Sequence, residues 1–140
     1  MRFRYSTPNP SQDEFDSLPY IPLILTYQSQ SLEVTGLVDS GSTVSVLPNN
    51  IGMALGAMWD DTQAIIPLAG SLSRQQAMPL FINAEIPGCG VAKLAFAWAR
   101  TDDIPIILGQ TNFFMEFDIF FYRSQFEFEF RLKAEQRPSL

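Results

Sequence analysis

The chain has 140 residues, the length of one domain and enough to bury a core unaided; 46% of them are hydrophobic and 17% charged, a globular composition. Nine Lys and Arg against fifteen Asp and Glu leave a net charge of −6, which repels phosphate backbones and argues against a nucleic-acid partner. There is no histidine, which excludes Ser-His-Asp and Cys-His catalysis and His-ligated zinc, and the single Cys89 excludes an internal disulfide or a CxxC site.

Residues 1–17 read as an arm and residues 18–140 as the domain. Residues 1–5 alternate Arg2 and Arg4 with apolar neighbours, the pattern of an edge strand, and residues 8–16 read as a loop. Residues 6–17 are polar and hold Pro8 and Pro10, where a signal peptide needs an apolar run. No apolar run approaches the roughly 20 residues of a membrane span, so no membrane partner and a cytoplasmic location are expected.

From residue 21 the chain reads as short strands. Residues 21–27 form the first, with Pro22 at an edge. Residues 28–31 turn, and Leu32, Val34, Leu37 and Val38 carry a second strand to Asp39. Asp39-Ser40-Gly41-Ser42 is turn chemistry, and residues 43–47 are a third strand stopped by Pro48. Residues 49–59 are the clearest helix. Asn49 or Asn50 can cap it, and Ile51, Ala54, Leu55 and Met58 share a face, while Gly52 and Gly56 weaken it. Residues 65–68 and 78–86 read as two strands around a polar tip, and residues 91–99 as another. Residues 104–108 are a short apolar strand ended by Gly109, with one helical turn over 111–115. Residues 117–122 and 125–133 form a final hairpin. Its last strand alternates Phe126, Phe128, Phe130 and Leu132 with Glu127, Glu129, Arg131 and Lys133, so one face is buried and one wet. The sum is a mainly β chain, a barrel or closed sandwich.

The chemistry centres on Asp39, a carboxylate at the end of an apolar strand followed by Ser40, Gly41, Ser42 and Thr43. A buried strand rarely ends in an aspartate unless that group is hydrogen-bonded or useful, although Asp-Ser-Gly-Ser also makes an ordinary turn. Asp-Ser-Gly surrounds the nucleophile of chymotrypsin-like proteases too, but there the serine needs a histidine. Downstream, Ile106-Ile107-Leu108-Gly109 is an apolar segment ending in glycine, with Phe113-Phe114 just after it. An apolar strand ending in Asp-Ser-Gly-Ser, with an apolar-apolar-Gly segment later in the chain, resembles the retropepsin-like aspartic proteases of cellular or bacterial type. The resemblance covers roughly residues 20–132.

The resemblance implies an all-β fold: a closed, mostly antiparallel acid-protease barrel with one short helix, assembled as a homodimer. It implies that Asp39 is the catalytic carboxylate. Ser40 would brace the two active-site turns across the dimer axis, Gly41 would approach the substrate backbone, and the Ser42 hydroxyl would donate to the outer oxygen of Asp39. Leu68, Ala69, Gly70, Ser71 and Leu72 fall where the family carries its flap. Ile106, Ile107, Leu108 and Gly109 fall on its ψ-loop beside the substrate pocket. Both termini would contribute to one intersubunit sheet. Neither cofactor nor metal is implied, and the partner besides a second copy is a peptide or protein substrate. Retroviral members carry an Asp and an Arg, ion-paired, at the positions of Thr43 and Gln110; a neutral Thr43–Gln110 contact is the expected replacement. Because the chain holds one Asp-Ser-Gly, an aspartate dyad needs a second copy. The alternative is a retropepsin-fold module that dimerises or binds peptide without cleaving it; a β-barrel binder of a small ligand is a third reading. Asp60-Asp61 and Asp102-Asp103 read as solvated turns, and Trp59 and Trp98 as packing residues.

Overall fold

In the computed structural model, which describes residues 1–69 and 75–133, the chain builds two sheets. β2 (Tyr20–Tyr27) and β3 (Gln30–Val38) form an antiparallel hairpin whose turn passes through Gln28 at φ 53. Ile21, Leu23 and Leu25 alternate into the core at 0–1% exposure, as the period-two pleat requires. β6 (Gln76–Ile86) and β7 (Gly90–Trp98) form the longest hairpin, and its buried residues alternate in the same way: Leu80, Ile82, Ala84 and Ile86 on one strand, Ala92, Leu94, Phe96 and Trp98 on the other.

Two short strands join the hairpins. β4 (Ser45–Leu47) runs parallel to β7, and β8 (Ile106–Leu108) runs parallel to β3 and antiparallel to β4. The residues at 24–26 of β2 bond those at 83–85 of β6, so six strands close in the order β2-β3-β8-β4-β7-β6 and the barrel has no free edge. β5 (Ile66–Pro67) adds to β6.

The second sheet is β1 (Arg2–Arg4), β10 (Glu127–Leu132) and β9 (Phe117–Tyr122), in that order. The strand anticipated over residues 1–5 is thus paired with β10 of its own chain. This sheet covers one end of the core with Phe117, Phe128 and Phe130, which meet Phe113 and one another mostly edge-on, the arrangement ring quadrupoles favour.

The one short helix that the resemblance implied is corrected to two, α1 (Asn49–Ala54) and α2 (Phe113–Glu116), the second overlapping the helical turn read over 111–115. α1 also ends five residues before the expected 59. Gly56 takes φ 83, a left-handed conformation that glycine adopts without strain, and this reverses the chain after Leu55. Gly52, read from sequence as a weakness, is a close approach: a Cβ there would run into the indole of Trp98. Trp98 is fully buried, donates Nε1 to the Asn49 carbonyl at 3.3 Å, and stacks edge-on with Trp59, so both tryptophans serve packing.

Candidate active site

Asp39 follows the last residue of β3. The parallel register sets Val38 beside Leu108, and the Asp39 N–H donates to the Leu108 carbonyl at 2.9 Å. Beyond that point the two chain segments stay tied. The Gln110 N–H donates to the Ser42 carbonyl and the Thr111 N–H to the Thr43 carbonyl, both at 2.8 Å. The Gly109 N–H donates to the fully buried Ser45 hydroxyl at 3.0 Å. Two apolar strands therefore deliver an aspartate to a turn whose backbone is anchored on its inner side.

Gly109 permits this approach. A Cβ there would meet the Val44 carbonyl oxygen, and would lie 2.7 Å from that carbonyl's carbon and 2.8 Å from the Ser42 oxygen. Within the turn, Asp39 Oδ1 accepts the Gly41 N–H at 2.9 Å and the Asp39 carbonyl accepts the Ser42 N–H at 3.2 Å. The carboxylate is half-buried and its orientation is set by its own turn.

Two expected contacts are corrected. The Ser42 hydroxyl donates to the Val44 carbonyl at 2.7 Å, not to Asp39, because a hydroxyl has one proton and that carbonyl lies two residues along the same bend. The Gln110 side chain bonds Ser40 where Thr43 was expected: its Nε2 donates to the Ser40 carbonyl at 2.8 Å.

Asp39 opens onto a groove of about 340 Å³. Asp39, Gly41, Ser42, Thr43, Leu68, Ala69 and Ile107 all line it. These expected residues are brought together. Ser40 is exposed and bonds Gln110 through its carbonyl. Ile106, Leu108 and Gly109 are buried behind the groove, since alternation along β8 turns Ile107 alone toward it. Gly70, Ser71 and Leu72 lie outside the described residues. Leu68 is itself buried, in an apolar cluster with Val46, Ala77, Ala97 and Ala99, and donates its N–H to the Gln75 carbonyl at 3.3 Å.

Val44, Val46 and Pro67 also line the groove and were not singled out from the sequence. Their signal was present: Val44 and Val46 alternate with Ser45 and Leu47, and Pro67 adjoins Leu68.

The paired aspartates hold local structure. Asp60 accepts the Thr62 hydroxyl and N–H, which keep its carboxyl below the ordinary 3.8. Asp61 accepts the Trp59 indole N–H, and Asp102 accepts the Asn50 N–H at the start of α1. Among the described residues no group of three or more His, Cys, Asp or Glu can hold a metal, and no helix is long and apolar enough to cross a membrane. Compared with known proteins, the chain matches no protein-family model and no curated protein.

Proposed function

We propose that this chain is a retropepsin-like aspartic endopeptidase that works as a homodimer, with Asp39 of each copy forming the catalytic pair. The observation that carries this reading is Asp39 itself. It is a half-buried carboxylate at the end of an apolar strand, oriented by the Gly41 N–H and facing a groove with apolar walls. Two carboxyls held close together share one proton, because both cannot ionise easily, and they titrate as a pair.

The ionised member takes a proton from a water molecule, whose oxygen attacks the peptide carbonyl carbon. The protonated member gives its proton to the carbonyl oxygen. The tetrahedral intermediate then collapses: the carboxyl that took the water's proton passes it to the nitrogen as the C–N bond breaks, a hydroxyl of the intermediate returns its proton to the other carboxylate as the carbonyl re-forms, and a carboxylic acid and an amine leave. This chemistry uses neither histidine nor cysteine nor metal. The substrate is an extended peptide, whose side chains meet Val44, Val46, Ile107 and Leu68 along the groove.

The test is cleavage of a mixed peptide library by purified protein between about pH 4 and 7, with and without a pepstatin-type inhibitor. Wild-type protein is expected to cleave, with inhibitor sensitivity. Asp39→Asn is expected to keep the fold and lose cleavage by at least about a thousandfold, since it removes a reacting group. A folded wild type that binds peptide without cleaving it would favour the non-catalytic module, and a cleaving Asp39→Asn variant would refute the role of Asp39.

A further inference from the structure

The peptide unit between Ser40 and Gly41 is held from both sides. Its N–H, on Gly41, donates to Asp39 Oδ1 at 2.9 Å. Its carbonyl, on Ser40, accepts from Gln110 Nε2 at 2.8 Å. A trans peptide is planar, so its C=O and N–H point in opposite directions and rotate together. A hydrogen bond accepted by the carbonyl also polarises the N–H and strengthens the bond that it donates. The Gln110 side chain, seventy residues away in sequence, thereby reaches the Asp39 carboxylate through one rigid amide.

We propose that Gln110 is a positioning residue for Asp39: through the Ser40–Gly41 peptide it fixes the plane of the N–H that holds Oδ1, and so leaves the other carboxylate oxygen aimed for proton transfer. The inference rests on the reading of Asp39 as the catalytic carboxylate. It concerns the side chain alone. The Gln110 backbone N–H is bonded separately to the Ser42 carbonyl, and the bonds from Asp39, Gly109 and Thr111 hold the two segments together without Nε2. Gln110 is exposed, so truncating it opens no cavity. Only a donor at this position serves, because the group it meets is a carbonyl oxygen.

The experiment compares wild type, Gln110→Ala and Gln110→Glu. Gln110→Ala is expected to lower kcat about five- to tenfold with KM changed less than about twofold, the size of one lost hydrogen bond acting on the chemical step. At pH near 6 the Gln110→Glu carboxylate has no proton to donate and is expected to behave like the alanine variant. Below about pH 4.3 its carboxyl is protonated and donates again, so kcat is expected to recover to within about threefold of wild type at the same pH. A residue that merely stabilised the loop would give no such pH-dependent rescue.

The Gly41 amide proton gives a readout that needs no turnover. It is expected to move upfield in Gln110→Ala, as its bond to Asp39 weakens. An active wild type with an unmoved Gly41 resonance, or with kcat unchanged in Gln110→Ala, overturns the role of Gln110 and leaves that of Asp39 standing. A wild type without cleavage, whatever the Gly41 resonance does, removes the reading of Asp39 and this inference with it.

Discussion

At the scale of single residues, the site depends on how closely two backbones approach. Gly109 sits against the Val44 and Ser42 carbonyls with no space for a Cβ, and a carbonyl oxygen cannot swing aside as a side chain can. Gly109→Ala is expected to force the segments apart and to destabilise the fold by about 1–3 kcal/mol, the usual cost of overpacking. Urea denaturation checks this: a lowered midpoint is expected, and an unchanged one would mean that the loop yields freely. Asp39 was legible from sequence because an aspartate after Gly36-Leu37-Val38, followed by turn residues, is an uncommon way to end an apolar strand. The partners of Ser42 and Gln110 were not. A hydroxyl's acceptor depends on where the next carbonyl turns, and the bond from Gln110 to Ser40 joins two segments that only the closed barrel brings together.

At the scale of elements, the sheet of β1, β10 and β9 carries an ion ladder on its outer face. Arg2 bonds Glu127 at 3.1 Å, Arg131 bonds Glu129 at 2.9 Å, and Arg2 lies 4.3 Å from the Tyr122 ring centre. The Glu129 carboxyl is held below its ordinary 4.5, first by the hydrogen bond from Arg131, then by that from Tyr122 and by the charges of Arg131 and Arg2, against a partial desolvation. A depressed folded-state value contributes stability that is fully present above about pH 4.5 and is lost as pH falls through the lower folded value. Glu129→Gln is therefore expected to flatten the loss of stability over the acid range below about pH 4.5. Urea midpoints measured across that range check it, and equal slopes for the two proteins would assign the acid sensitivity to other carboxylates. The strand β10 of this sheet was legible because Phe126 to Lys133 alternate strictly. The end of α1 and the brevity of β4 were less so: the first depends on the φ of Gly56, and residues 43–44 that looked like strand are drawn into the bend that meets Gln110 and Thr111.

At the scale of the whole molecule, the closed barrel is built from pairings that local periodicity does not contain. The β3–β8 and β4–β7 pairs are parallel, and the β2–β6 closure joins strands nearly sixty residues apart. The mainly β class follows from the sequence pattern, and the order of strands follows from the structure. One chain contributes one Asp-Ser-Gly turn, and the proposed chemistry needs two carboxylates, so the functional unit proposed for it is a pair of chains. The most direct measurement refolds wild-type and Asp39→Asn chains together in varying ratio and follows peptide cleavage at constant total protein. A catalytic pair shared between copies predicts a rate that falls with the square of the wild-type fraction, to about one quarter in an equal mixture. A rate that falls in direct proportion, to about one half, would contradict a site divided between two chains.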